Sequence, residues 1–205
     1  MTSSLSDGHA ALTVVRLDPL HHDVLSDRRD VCRMHDRVIA LLGLSPSDPK
    51  GRELWVSPRP DRLVLQYHRA VDLHTLPAGY ATGHDRHPVR AQWSTGEEIR
   101  WALVANPIRK RTTRRADGTR GEVRTVTDPS GWVRAHLPML RHHRIDVIDQ
   151  RTAHGRKGQR RVTHSQARLV GTATVLDAGA LSAAILGGVG HGRAYGCGLL
   201  MVGPA

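Results

Sequence analysis

A glycine-rich segment near the C-terminus is the part of this chain with the clearest potential for chemistry. Six glycines fall within residues 187–198, interrupted by His191 and Arg193. Glycine lets backbone N–H groups crowd together and point outward, which suits a phosphate group or another backbone lying close by. Glycine-rich turns also serve purely as tight corners. Composition alone therefore predicts either an anion-binding loop or a structural turn, and both interpretations stay open here.

Two cationic segments supply the positive charge that a phosphate-rich partner requires. One is a loop after Asn106-Pro107, and the other is a hairpin with its turn at residues 155–158. Their candidate binding side chains are Arg109, Lys110, Arg111, Arg114, Arg115, Arg156, Lys157, Arg160 and Arg161. Residues 109–168 hold 16 Lys or Arg against 5 Asp or Glu, so this region carries the whole net charge of +11. Focused charge of this kind favours binding to a nucleic-acid backbone; a solvated surface is the alternative for either segment.

His35 is the candidate catalytic side chain. It lies near the middle of a predicted helix, at the rim of the apolar face, where an imidazole can titrate near neutral pH and still reach a groove. No HxH or HExxH spacing surrounds it, and the chain has no GxSxG or P-loop motif. The sequence therefore predicts a general acid or base that works without a metal ion or other cofactor. The structural alternative is a partly buried histidine that makes one hydrogen bond.

The elements that must position these residues repeat along the chain. The first half predicts strands at 11–17, 54–57, 63–69 and 89–93, with a helix at 27–42 capped by Ser26 and a short helical piece at 72–80. The second half predicts strands at 98–105, 145–148, 162–176 and 199–202, with helices at 132–140 and after a cap at Asp177. Two βαββαβ units in succession indicate an α+β protein of two tandem ferredoxin-like (RRM-like) domains, expected at residues 1–94 and 95–205.

Composition excludes several other classes of protein. No stretch approaches the roughly 18 consecutive apolar residues of a membrane span, and the first nine residues lack the pattern of a signal peptide. Cys32 and Cys197 form no CxxC pair, which argues against a zinc ribbon or a disulfide framework. We therefore expect a cytoplasmic protein. Phe is absent and aromatics make up 3% of residues, which argues against a sheet that reads single-stranded RNA by stacking several bases.

Residues 188–200, GVGHGRAYGCGLL, resemble the C-terminal GIGxxKxxGxGLL signature of the CasE (Cse3) family. These are the CRISPR repeat-processing endoribonucleases of Cascade-type systems. Three further pieces agree with this family: VVRL at 14–17, Met34-His35 on the first helix, and LVANP at 103–107 followed by basic residues. Two positions depart from it. Arg193 stands at the lysine of the signature, and Cys32 stands where some relatives have a tyrosine.

The resemblance implies a metal-independent cut at the base of the hairpin in CRISPR precursor RNA. The ribose 2′-OH attacks the adjacent phosphate, which leaves a 2′,3′-cyclic phosphate on a guide RNA that stays bound. The catalytic histidine of the family falls on His35, as base or as acid. The loop residues Gly190, His191, Gly192 and Arg193 are expected to hold RNA backbone. The implied partners are the repeat hairpin and other subunits of a Cascade surveillance complex, without a membrane. A subunit that holds the hairpin without cutting is the alternative, which the change at Cys32 keeps open.

Overall fold

The computed structural model describes residues 10–44, 53–67, 71–110 and 123–205. The candidate binding residues Arg111, Arg114 and Arg115 lie outside these ranges, and for Arg109 and Lys110 the backbone alone is described. Within the described ranges, no helix is long and apolar enough to cross a membrane.

The first half of the chain forms an antiparallel sheet with two helices packed on one face. In chain order its elements are β1 (Ala11–Leu17), α1 (His22–Arg29), α2 (Val31–Leu41), β2 (Leu54–Arg59), β3 (Arg62–Tyr67) and β4 (Ala81–Pro88). The strands lie in the order β2-β3-β1-β4. Buried and half-buried residues alternate along β1, so that Val15 and Leu17 pack beneath Met34 and Val38 of α2. The inward-facing residues of β1 and the apolar face of α2 therefore pack in one core.

The second half repeats this plan with a ribbon inserted after its first strand. Its elements are β5 (Glu98–Ala105), β6 (Ile108–Lys110), β7 (Val123–Thr125), α3 (Pro129–His136), β8 (Leu140–Lys157), β9 (Arg160–Val175), α4 (Ala178–Gly187) and β10 (Leu200–Pro204). Strands β6 and β7 pair with each other, and the main sheet has the order β10-β5-β9-β8. Asp177 caps α4 as predicted, because its carboxylate accepts a hydrogen bond from the Ala180 N–H at 2.9 Å.

Both sheets share one topology. Numbered within its own half, each has the strand order 4-1-3-2, with helices after the first strand. In the first half a short 3₁₀ helix, Leu73–Thr75, takes the place that α4 has in the second half. This order confirms the predicted α+β fold with tandem ferredoxin-like units. Leu54, Val56, Val64 and Leu199 form a buried cluster that joins the two sheets.

The predicted single helix at 27–42 is wrong, because the chain makes two helices with a break at Asp30. Asp30 has an extended backbone, with φ −132° and ψ 108°. Its carboxylate accepts hydrogen bonds from the N–H groups of Cys32 at 2.8 Å and Arg33 at 3.2 Å. Asp30 is therefore the N-cap of α2, and the expected cap, Ser26, lies inside α1.

Three further predictions of element boundaries are corrected. The strand expected at 89–93 lies instead at Ala81–Pro88, an edge strand that is mostly polar and exposed and so carries little apolar periodicity. Strand β8 extends well beyond the predicted range of 145–148, and it pairs with β9, which lies close to its predicted range of 162–176, as a ribbon with exposed polar side chains. Helix α3 begins earlier than predicted and ends before Pro138, which cannot continue a helix.

Asp27 is a buried carboxylate at the centre of a polar network beneath α1 and α2. It is 1% exposed, and it accepts hydrogen bonds from Arg33 Nε at 3.2 Å, Arg37 Nε at 2.8 Å and the Tyr80 hydroxyl at 3.0 Å. Burial and the negative charge of Asp27 raise the pKa of Tyr80, so this hydroxyl stays a donor. The network ties both helices to the segment before β4.

Asp27→Asn should lower the free energy of unfolding by about 2–3 kcal/mol, because the amide turns an N–H group toward donors that then lack their charged acceptor. The matched control is Asp36→Asn, an exposed carboxylate on α2, which should change stability by less than about 0.5 kcal/mol. Urea unfolding followed by circular dichroism measures both. Equal stability of the two variants would contradict the role given to Asp27.

Candidate active site

His35 lies on α2 with one side of its imidazole covered. Its Nδ1 is buried and forms no hydrogen bond with any described residue, and its ring centroid lies 6.0 Å from that of Tyr195. Burial lowers the pKa of His35 below its usual value; Asp36 and Glu53 oppose this effect, and Lys157 adds to it. The imidazole of the free protein is therefore mostly neutral at pH 7, which is the form that accepts a proton.

The hairpin formed by β8 and β9 docks on the N-terminus of α2. The Arg156 N–H donates to the Asp30 carboxylate, with 3.2 Å between N and Oδ2. Gly155 is buried against the same cap: a Cβ there would lie 2.7 Å from Asp30 Oδ1 and 2.9 Å from the Cys32 nitrogen. A hydrogen atom is all that fits at this position. The close approach brings the hairpin tip toward His35, and so the charge of Lys157 acts on the imidazole.

The tip of this hairpin carries the predicted cationic group. The turn is at Gly158, which has φ +58°, and around it Arg156, Lys157, Arg160 and Arg161 are all exposed. None of these four forms an ion pair with a carboxylate in the described part of the chain. The structure thus places uncompensated positive charge beside α2, as a phosphate backbone requires.

The glycine-rich loop packs tightly against both halves of the molecule, since a Cβ at Gly188 would lie 2.6 Å from Leu54 of β2. Five of its glycines, at positions 188, 190, 192, 196 and 198, have φ between 74° and 89°. A Cβ at Gly190 would lie 2.8 Å from the Trp132 ring. The loop closes on itself, because Arg193 Nη1 donates to the carbonyl of Gly187, the last residue of α4, at 2.6 Å. The interpretation as a structural turn therefore holds for much of this segment.

Two backbone N–H groups of the loop nevertheless remain available for hydrogen bonding. The N–H groups of Gly190 and Gly192 donate to no described residue, and His191 and Arg193 are exposed. These groups, named in the sequence as anion-binding candidates, lie together on the surface of the loop. The structural and ligand-binding interpretations thus apply to different atoms of one segment.

Tyr195 is the site residue that sequence reasoning missed. Its ring stacks on His164, with centroids 4.3 Å apart and an angle of 29° between the planes. The Tyr195 carbonyl accepts a hydrogen bond from Gln166 Nε2 at 2.9 Å. On the far side of His164, Asn106 Nδ2 donates to His164 Nδ1 at 3.3 Å. The sequence indicates this residue only as a tyrosine at a variable position of the glycine signature. Its contact with His35 joins residues that are far apart in the sequence.

Cys32 packs beneath the hairpin. It is buried, and a Cβ at Gly155 would lie 2.9 Å from its Sγ. Burial is the largest of the causes that raise the pKa of its thiol, which favours the neutral thiol at pH 7. The side chain at this position fills space between α2 and β8, as a small apolar residue does.

The architecture is ferredoxin-like, and the comparisons with known proteins give the family. The family model described as "CRISPR associated protein" matches residues 12–204, and the chain belongs to this family. The resemblance to CasE (Cse3) is confirmed, since Cse3 and Cas6e are among the solved structures that match. A comparison with curated protein sequences gives no match.

Three solved structures illustrate the likeness. Thermus thermophilus Cse3, bound to an RNA that represents a pre-cleavage complex, is 22% identical with a TM-score of 0.80, covering 96% of this chain and 100% of that one. Cas6e from Escherichia coli K-12 is 20% identical with a TM-score of 0.69, covering 96% and 100%. A chain of a CRISPR RNA-guided surveillance complex in a pre-nicking state is 19% identical with a TM-score of 0.72, covering 95% and 100%. At these identities the likeness shows a shared fold.

Gly155→Ala should lower the free energy of unfolding by about 1–3 kcal/mol, because the added methyl group overlaps the cap of α2. The control is Gly179→Ala in α4, where a Cβ would meet Asp177 Oδ1 at an ordinary 3.5 Å and alanine favours the helix by about 1 kcal/mol. Urea denaturation compares them. If Gly155→Ala proved as stable as the wild type, the hairpin would not be held against α2 in this way.

Proposed function

We propose that this protein is an endoribonuclease that binds the hairpin of a CRISPR repeat RNA and cuts the strand at the hairpin base without a metal ion. The product is a guide RNA with a 2′,3′-cyclic phosphate end, which stays bound. The observation that carries this proposal is the placement of a half-buried, neutral His35 beside an uncompensated cationic hairpin tip. Membership of the CRISPR-associated family and the likeness to a Cse3 solved with RNA support it.

The neutral imidazole favours the role of general base for His35. It would accept the proton of the ribose 2′-OH while O2′ forms a bond to the adjacent phosphorus. The bond from phosphorus to O5′ then breaks, and O5′ takes a proton from water or from the imidazolium just formed. General acid–base catalysis of this kind contributes about 10²–10⁴-fold to the rate. Lys157, whose charge acts on the imidazole, would stabilise the extra charge on the phosphorane.

Tyr195 acts in this scheme as a positioning residue. Catalytic histidines are commonly oriented by a hydrogen bond to their second ring nitrogen, and His35 Nδ1 has none among the described residues. The contact with Tyr195, whose ring is tilted by 56° to the imidazole and is itself stacked on His164, restricts the rotation of the imidazole instead. The glycine loop would thereby serve catalysis through a ring as well as through its N–H groups.

RNA binding is assigned to three surfaces. The hairpin tip and the segment after Pro107 would grip the phosphates of the stem, because A-form RNA is recognised mainly by its shape and backbone. The N–H groups of Gly190 and Gly192, with the exposed side chains of His191 and Arg193, would hold the strand near the cut. The residues of these surfaces are Arg109, Lys110, Arg111, Arg114, Arg115, Arg156, Lys157, Arg160, Arg161, Gly190, His191, Gly192 and Arg193. The further partners would be other subunits of a surveillance complex, such as the one in which a similar chain was solved, in the cytoplasm where the RNA is made.

A subunit that holds the hairpin without cutting it is the second candidate. It is favoured by Cys32, which occupies the place of a tyrosine in some relatives and is packed away from solvent. Binding and cutting therefore need separate measurements.

Incubation of a cognate repeat hairpin with wild type in EDTA should give cleavage with a cyclic phosphate end. His35→Ala should slow this cut by about 10²–10⁴-fold with unchanged affinity for the hairpin. The control is His22→Ala, whose side chain is 89% exposed, and which should cut at the wild-type rate. Tight binding by wild type and His35→Ala without cleavage by either would establish the non-cleaving subunit.

The pH dependence of kcat/KM under single-turnover conditions tests the role of His35 as base. The rate should rise with pH to a plateau, and the midpoint of this rise should lie below the usual histidine pKa of about 6.5. Lys157→Gln removes a charge that lowers the pKa of His35, so its midpoint should move up. Asp36→Asn removes a charge that raises this pKa, so its midpoint should move down. A rate that falls as pH rises would assign the acid role instead.

A further inference from the structure

A small pocket between the two halves of the molecule shares Tyr195 with the candidate active site. It has a volume of about 50 Å³ and is lined by residues of α1, α2, β2, β8, β9 and the glycine loop, among them Arg28, Trp55, Ser57, Arg151, Gln166 and Tyr195. None of the RNA-binding surfaces assigned above includes it.

Three residues that line this pocket carry hydrogen-bond donors. Arg28 of α1 is half-buried, yet it forms neither an ion pair nor a hydrogen bond with any described residue. Arg151 of β8 lines the same pocket, and its Nε donates to Gln166 Oε1 at 3.1 Å. Burial and then the charge of Arg151 lower the pKa of Arg28. A third donor, Trp55 Nε1, is buried without a partner in the described structure.

Nearby carboxylates do not balance these charges. Asp27 lines the pocket, but its oxygens already accept from Arg33, Arg37 and Tyr80. Asp149, on the same strand as Arg151, forms no ion pair with it within the described part of the chain. Arg28 is half-buried and Arg151 is exposed, and the two like charges line one pocket and form an ion pair with no described carboxylate. An anion is therefore the ligand that this pocket fits.

We propose that this pocket binds a phosphate group of the RNA backbone, at a phosphodiester close to the one that is cut. This assignment rests on the proposed function. The volume of about 50 Å³ is room for about four water molecules, which suits a phosphate group better than a base. Because Tyr195 lines the pocket and also contacts His35, a phosphate held by Arg28 and Arg151 would fix the strand relative to the imidazole.

The first test compares Arg28→Gln and Arg151→Gln with the matched control Arg29→Gln, an exposed arginine on the same helix that does not line the pocket. Affinity for the repeat hairpin is measured from 50 to 400 mM KCl, a range set at about one decade so that slopes are well determined. Each pocket variant should reduce the slope of log affinity against log salt by about 0.7–0.9, and the control should leave it unchanged. Arg28→Gln should also unfold at the wild-type temperature or higher, because it removes an unpaired charge.

The second test locates the phosphate. A neutral methylphosphonate at each linkage around the cut should weaken wild-type binding at one position, and Arg28→Gln should lose nothing further there. Inorganic phosphate, tested against chloride at equal ionic strength, should raise the unfolding temperature of wild type and not that of Arg28→Gln.

The outcomes separate the pocket from the proposed function. If wild type cuts the hairpin while Arg28→Gln and Arg29→Gln have equal salt slopes, the pocket assignment is overturned and the nuclease stands. Stabilisation by inorganic phosphate through Arg28, with an unchanged RNA slope, would assign the pocket to a free anion and overturn the RNA assignment. If wild type binds no hairpin, the proposed function fails, and with it the RNA assignment of the pocket.

Discussion

One carboxylate, that of Asp30, connects the two halves of the site. It caps α2 through the N–H groups of Cys32 and Arg33, and it accepts the Arg156 N–H from the hairpin of the other half. The helix N-terminus and the cationic tip both favour a negative charge at this point. Gly155 makes the approach possible, because any side chain there would overlap the cap. The placement of His35 relative to Lys157 depends on this single docking contact.

Positive charge without paired carboxylates is the second feature on which the proposed function depends. Charge of one sign is concentrated on the hairpin tip and in the pocket of Arg28 and Arg151, while the acidic side chain nearest the pocket, Asp27, is saturated by other donors. Such an arrangement lowers the stability of the free protein, and a polyanion that binds it removes the repulsion. The Asp27 network and the apolar cluster between the sheets then supply the rigidity that the charged surfaces do not.

Local patterns predicted the parts of the fold that local physics determines. The bounds of β1 and β5 follow from strict alternation, and the start of α4 follows from its Asp177 cap. Strand β4 was not predicted, because an edge strand needs no apolar face. The helix break at Asp30 was not predicted either, because this residue lies within a helical sequence pattern. The stacking of Tyr195 on His164 and its contact with His35 depend on the packing of three distant segments, which no periodicity encodes.

The glycine loop unites the two interpretations that its composition left open. Its glycines adopt left-handed backbone conformations so that the chain can fold back on α4 and β5, and this reversal carries Tyr195 to the junction of the two halves. There its ring contacts the imidazole of His35, and Tyr195 is also one of the residues that line the proposed anion pocket. If the pocket holds one phosphate and His35 acts at a nearby ribose, the residue shared by both sites links their positions. The loop would then decide which bond is cut through the position of one aromatic side chain, while its free N–H groups retain the strand.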